Sequence, residues 1–220
     1  MRLFVMSDLH GRYHTFLAML DTIGFREDDI LYILGDLCDR GPYAARLYLD
    51  VMDRKNVYCT MGNHEHMALD DIVNFVQRYR DYSREDRQRI YDFMESLPLL
   101  RQIQVNNYTY LLCHTITDQH GQDAQLREYT PWDFLWERPE DFDTRLQIAD
   151  LPKDTAFIIG HTPTMNLRPG PPTVFFGKGN IINVDCGAGF PQYGGRLGCL
   201  CLNNLSTYYL DIVKEDQSCD

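Results

Sequence analysis

The first hundred residues alternate between short apolar runs and stretches whose apolar positions recur every three or four residues. Leu3 to Met6 is an unbroken apolar run that predicts a buried strand. Phe16, Leu17, Leu20 and Ile23 follow at the spacing of a helix that Gly24 ends. Ile30 to Leu34 predicts a second strand, and Pro42 suits the first turn of a helix whose face is Ala44, Leu47, Tyr48, Val51 and Met52. Val57 to Met61 predicts a third strand, with Met67, Ile72, Val73, Val76 and Tyr79 continuing as a helix. A further helix carries Ile90, Phe93, Met94 and Leu97 and closes at Pro98, with Arg84 to Arg89 as its solvated side. Each strand-plus-helix unit takes roughly 25–30 residues, the length of a parallel crossover.

Beyond residue 98 the pattern changes. Leu99 to Val105 and Tyr108 to Cys113 flank Asn106-Asn107, a pair suited to a hairpin turn. Residues 115–153 are polar with little periodicity, and Phe157-Ile158-Ile159 is one more strand. Thr173 to Phe176, Ile181 to Val184, Leu197 to Leu202 and Thr207 to Ile212 predict antiparallel strands joined by glycine turns. No repeat or linker interrupts the 220 residues. Residues 1–220 are therefore expected to form a single α/β domain, two sheets packed face to face with helices outside.

The polar residues that end the apolar runs carry the chemistry. Asp8-Leu9-His10-Gly11, Gly35-Asp36-Leu37-Cys38-Asp39-Arg40-Gly41 and Gly62-Asn63-His64-Glu65 follow the first three strands. Cys113-His114-Thr115 and Gly160-His161-Thr162 repeat the arrangement later. Open α/β sheets place their sites beyond the carboxyl ends of the strands, so these clusters converge on one rim. Asp8, His10, Asp36, Asn63, His114 and His161 offer oxygen and imidazole nitrogen but no thiolate, a donor set for Mn, Fe, Zn or Co rather than a Cys-rich structural zinc. Six such ligands divide between two divalent metal ions, with Asp36 the expected bridge. Two carboxylates and one shared hydroxide leave the cluster net positive and attractive to phosphate. His64 is placed to protonate a leaving alkoxide, Asp39 to hold its other ring nitrogen, and Arg40 to grip phosphate with a planar fork.

These blocks resemble the signature of calcineurin-like metallophosphoesterases, and more narrowly the phosphoprotein phosphatase (serine/threonine protein phosphatase) branch in its small bacterial and phage form. The resemblance spans residues 8 to about 200. It implies a four-layer α-β-β-α sandwich with two mixed sheets, a dinuclear site with manganese as the expected metal, and direct attack of a metal-bridging hydroxide on a phosphomonoester. The expected substrates are proteins phosphorylated on Ser, Thr or Tyr, or small phosphoesters. It makes Asp8, His10, Asp36, Asn63, His114 and His161 the metal ligands and His64, Asp39 and Arg40 catalytic. Trp136-Glu137-Arg138 resembles the family's second arginine segment and makes Arg138 a further phosphate contact. Asp185 to Leu197 resembles the branch's closing strands, near the site without supplying a ligand. Hydrolysis of dinucleoside polyphosphates is the main alternative. Asp39, which the symmetrically cleaving branch lacks, tilts the resemblance towards phosphoproteins. A non-catalytic scaffold of the same fold is a distant third.

Composition narrows the rest. A formal charge of −11 disfavours nucleic acid as a partner. No run approaches the ~18 apolar residues of a membrane span, and the chain opens on a strand rather than a signal segment. Seven cysteines without a paired framework suit a reduced, cytoplasmic setting, with Cys38 as packing. His14 and His66 read as surface residues, His120 as a loop residue on the substrate side, and Tyr129 to Trp136 as either a substrate-facing wall or loop packing.

Overall fold

A computed structural model describes residues 1–117, 120, 124–143, 145, 146, 148 and 151–217. Two five-stranded mixed sheets face each other. In the first, β1 (Leu3–Met6), β2 (Ile30–Leu34) and β3 (Val57–Thr60) run parallel, as the crossover lengths predict. β9 (Arg196–Cys201) and β10 (Thr207–Asp211) complete it antiparallel on the β1 side. In the second, β4 (Leu100–Val105) and β5 (Tyr108–Cys113) form the hairpin expected around Asn106-Asn107. β5, β6 (Thr155–Ile159) and β8 (Ile181–Asn183) run parallel, and β7 (Phe175–Phe176) is antiparallel to β8. The expectation that Ile181 to Val184 joins an all-antiparallel set is therefore corrected. Its neighbour β6 lies a crossover away in sequence, which glycine turns alone do not reveal.

Alternate residues of each strand enter different cores, because successive side chains point to opposite faces. Phe4 and Met6 join the layer under α1 (Tyr13–Thr22), α2 (Ala44–Asp53) and α5 (Arg84–Ser96), together with Leu31, Ile33, Phe16 and Tyr48. Leu3, Val5, Tyr110, Leu112, Ile158 and Leu200 fill the space between the sheets. Leu111, Phe157, Ile159, Phe134 and Phe142 pack on the outer face of the second sheet. These are three apolar layers between four structural layers. The fourth is thin: among the described residues it is mostly irregular chain around α6 (Pro131–Leu135).

Residues 63–79 depart from the expected single helix. The chain forms α3 (Asn63–Asp70) and α4 (Ile72–Arg78), broken at Asp71, whose carboxylate accepts the Asn74 N–H at 3.0 Å. Phe75 and Tyr79 turn inward, while Ile72 and Val73 stand 52% and 75% exposed, so the apolar spacing misidentified the buried face. No helix among the described residues is long and apolar enough to cross a membrane. Six cysteines are buried and unpaired; Cys219 lies outside the described residues.

The start of β1 is clamped by Asp29, which accepts Arg2 N at 2.8 Å, Arg2 Nη2 at 2.5 Å and Arg26 N at 3.0 Å. Burial pushes its carboxyl up, but these bonds outweigh it and hold the group down at about 2. A carboxyl with a depressed folded pKa stabilises above its unfolded value and loses that contribution as pH falls through the folded one. Asp29→Asn is therefore expected to cost about 1–2 kcal/mol at pH 6, with the gap to the parent closing between pH ~4 and ~2. Urea melts at stepped pH measure this, and a gap independent of pH contradicts it.

Candidate metal centre

Each predicted ligand follows the strand that was expected to carry it, and the backbone turns sharply there. Asp8, His10, Asp36, Asp39, Arg40 and His161 all have positive φ, between +45° and +67°. Such left-handed conformations are costly for residues with a Cβ and persist where the surroundings over-determine them. The surroundings here are other strand ends. His10 N donates to Asp36 O at 2.8 Å and Gly11 N to Leu37 O at 2.7 Å, zipping the exits of β1 and β2 together. Gly160 N donates to His114 O at 2.9 Å, and His161 N donates across the sheets to Asp8 Oδ2 at 2.9 Å. A Cβ at Gly160 would lie 2.2 Å from Asp8 Oδ2, and one at Gly62 would lie 2.2 Å from Asp36 Oδ1, so both approaches require glycine.

The donor atoms converge around Asp36. Its Oδ2 lies 3.8 Å from His10 Nε2, 3.5 Å from His114 Nε2 and 3.8 Å from His64 Nε2. Asp8 Oδ1 is 4.0 Å from His10 Nε2. On the other side, His114 Nε2 is 2.9 Å from Asn63 Oδ1 and 3.0 Å from His161 Nδ1. Asp36 thus belongs to two groups that could each hold a cation, one with His10 and His64 and one with His114 and His161. The opposite ring nitrogens are occupied by carbonyls. His10 Nδ1 meets Cys38 O at 2.8 Å, His114 Nδ1 meets Leu34 O at 2.8 Å, and His161 Nε2 meets Trp136 O at 3.3 Å. Those contacts leave a lone pair aimed inward on each ring, the arrangement that metal-binding histidines adopt.

The electrostatics fit a cation. Burial, then the charges of Asp8 and Glu65, push the Asp36 carboxyl well up. Burial and Asp8 do the same to Asp185. Burial and the neighbouring His64 and Arg40 push His10 well down, and burial, His114 and Arg138 push His161 down to about 2. Crowded carboxylates short of positive charge beside neutral imidazoles are the donor chemistry of a dication site.

Around this cluster sit the other expected residues. His64 Nδ1 is hydrogen-bonded to Asp39 Oδ2. Burial lowers the His64 pKa, but the bond to Asp39 and the charges of Asp36 and Asp39 outweigh it and leave it raised. Asp39 does not pair with Arg40. Its Oδ1 instead meets Arg78 Nη1. Arg40 stacks 4.0 Å over the Phe190 ring, its Nη2 3.5 Å from His64 Nε2. Arg138 joins Asp8, His10, Asn63 and His161 in lining a hollow of about 80 Å³. Arg40, Gly189 and Phe190 also line a wider one of about 560 Å³ with Arg12, Gln192 and Gln217. Asp185 lines the smaller hollow, close to where the closing-strand resemblance put it.

The remaining histidines and Cys38 have structural surroundings. His14 is half-buried and meets Asp216 at 3.1 Å, which corrects its reading as a plain surface residue. His66 pairs with Asp70 on the surface, and His120 meets Asp133 at 2.8 Å, packed 4.5 Å from the Tyr129 ring. Trp132 stacks on Trp136 at 5.5 Å. Cys38 is buried, and burial with the charges of Glu65 and Asp39 pushes its thiol up.

Glu65, Arg78 and Phe190 were not singled out by the sequence. Glu65 is fully buried, and its carboxylate accepts Asp36 N at 2.8 Å, Leu37 N at 2.8 Å, Gly62 N at 3.0 Å and Tyr48 Oη at 2.5 Å. Its signal was present, since a Glu three residues beyond a helix-starting Gly62 is placed to cap that helix.

A pattern for calcineurin-like phosphoesterases matches residues 1–181, and the chain belongs to that family. Its relatives include proteins named as tetraphosphatases and proteins named as serine/threonine phosphatases. It is 28% identical over 123 residues to a symmetrical bis(5'-nucleosyl)-tetraphosphatase of Haemophilus ducreyi, covering 52% of this chain and 44% of that protein. It is 29% identical over 115 residues to serine/threonine-protein phosphatase 7 of Arabidopsis thaliana, covering 48% and 28%. The chain thus spans less than half the length of either. In fold it is similar to a protein serine/threonine phosphatase from Saccharomyces cerevisiae (TM-score 0.70, 19% identity, 98% of this chain and 81% of that one). It is likewise similar to a putative diadenosine tetraphosphatase (TM-score 0.67, 15% identity, 97% and 94%).

Glu65→Gln would set an amide N–H₂ against backbone N–H donors. It is expected to destabilise the protein by about 2–3 kcal/mol and to weaken Mn²⁺ binding by displacing Asp36. Urea melts and calorimetric Mn²⁺ titration of the same preparations check both, and native stability in the variant would contradict the role given to this carboxylate.

Proposed function

We propose that this chain is a metal-dependent phosphatase that hydrolyses phosphate monoesters on the serine and threonine side chains of proteins. Asp8, His10, Asp36, Asn63, His114 and His161 would hold two divalent cations, manganese first, with iron or zinc accepted by the same donors. When bound, such cations supply Lewis acidity for phosphoryl oxygens and an activated water. Arg40 and Arg138 bind and orient the phosphate, and the Phe190 ring keeps the Arg40 guanidinium from folding away. A water oxygen forms the new bond to phosphorus as the ester P–O bond breaks; the electron pair of the broken bond goes to the departing oxygen, which takes the proton of His64 Nε2, while Asp39 keeps the imidazole oriented.

The observation that carries this reading is His64. Asp39 holds one ring nitrogen, and the other lies 3.8 Å from Asp36 Oδ2 at the mouth of the donor cluster. A serine alkoxide needs a proton to leave, whereas a nucleotide phosphate leaves readily without one. The second reading is cleavage of dinucleoside polyphosphates. It is favoured by the tetraphosphatase relatives and by the wide polar hollow beside Arg40, which has room for more than a phosphoryl group.

Mn²⁺-loaded protein is expected to turn over a phosphoserine peptide faster than diadenosine tetraphosphate, and the reverse order would favour the second reading. EDTA is expected to abolish turnover and Mn²⁺ to restore it; activity that survives complete removal of metal contradicts the cation assignment. His64→Asn should lower kcat on the phosphopeptide by roughly 10²–10⁴-fold, with KM little changed.

A further inference from the structure

Asp39 stands on the rim of the site in a strained tight turn. Its φ is +67°, that of Arg40 is +62°, and Gly41 N donates back to Asp39 O at 2.7 Å. One carboxylate oxygen is taken by His64 and the other by Arg78, so two cationic or N–H partners define the plane of the group. Arg78 comes from outside the strand-end clusters, on the last turn of α4, where a positive side chain also suits the helix dipole. The helix is anchored without it: Phe75 and Tyr79 are buried, with ring centroids 4.9 Å apart, and Phe75 also meets Tyr91 at 5.5 Å. The Arg78 side chain is 39% exposed and lines, with Asp39, Pro42 and Tyr82, an open hollow of about 320 Å³.

We propose that Arg78 is a positioning residue for the proton donor, holding the Asp39 carboxylate in the orientation that aligns His64. The inference rests on His64 acting as that donor. Without Arg78, one Asp39 oxygen would face solvent and the carboxylate could turn about its terminal torsion, a broad and soft one. The imidazole would then lose its fixed direction, and Nε2 its aim at the departing oxygen. A partly exposed ion pair of this kind contributes little to stability, so its effect belongs in the chemistry rather than in the fold.

The test compares Mn²⁺-loaded protein with Arg78→Met and Arg78→Lys on phenyl phosphate, a poor leaving group, and p-nitrophenyl phosphate, a good one. Arg78→Met is expected to lower kcat at least about 10-fold on the first and less than about 3-fold on the second, with KM within about 2-fold on both. Arg78→Lys should recover part of the loss. In an Asp39→Asn background, Arg78→Met should add less than about 2-fold, since both act through one carboxylate. Equal losses on the two esters, full additivity with Asp39→Asn, or an Arg78→Met chain that does not fold would each overturn the assignment. His64→Asn separates the two levels of the argument. If it shows no leaving-group dependence, the donor reading itself fails. If it shows the dependence and Arg78→Met does not, only the role of Arg78 is lost.

Discussion

One buried carboxylate holds the geometry of the site. Glu65 receives two backbone N–H groups from the exit of β2, one from the exit of β3 and the hydroxyl of Tyr48. The strand ends that carry Asp36 and Asn63 are thereby tied to a single buried carboxylate just beyond the carboxyl ends of β2 and β3. A charge so deep is tolerated because its oxygens are hydrogen-bonded, and the arrangement fails as a unit when one partner is lost. Asp36 is positioned by that anchor from the backbone side and is then free to face the histidines with its side chain.

The second sheet reaches the same point from the other direction. His114 and His161 arrive on β5 and β6, and the only covalent route between them and Asp8 is more than a hundred residues long. The sheets are joined at the rim by the His161 N–H on the Asp8 carboxylate, by the His114 ring on Leu34 O and Asn63 Oδ1, and by the close approach that the bare backbone of Gly160 allows. The concentration of left-handed residues at these strand ends follows from that demand. Chain that exited the strands in an extended conformation would carry the side chains past one another, and the packed sheets supply the energy that keeps the turns bent.

Much of this was legible because the information is local. An apolar run followed by Asp-x-His or Gly-Asn-His states both the strand and the candidate donor at its end, so the spacing placed these residues at strand ends while the family resemblance supplied the roles expected of them. Errors arose where the decisive partner is distant. Ile181 to Val184 carries nothing that announces β6 as its neighbour, and its direction was misread. Ile72, Val73 and Val76 have helical spacing, yet the break at Asp71 rotates them to the surface and leaves Phe75 and Tyr79 as anchors. Arg78 and Phe190 touch Asp39 and Arg40 across 39 and 150 positions of sequence; nothing near Arg78 marks it, while Phe190 lay in the 185–197 segment that the resemblance put near the site without naming the residue. Glu65 lay inside a block already recognised, where its helix-capping position was the overlooked clue.

The division between the narrow hollow and the wide one has a consequence for descent. The residues that would cut the phosphate sit on rigid strand ends, interlocked so tightly that few could change singly. The wider hollow shares Arg40, Gly189 and Phe190 with the narrow one and is completed by Gln192 and Gln217, which are not among the candidate ligands. Drift at such positions alters which molecule is presented without disturbing the machinery beneath. A lineage built this way can exchange one clientele for another in small, individually viable changes.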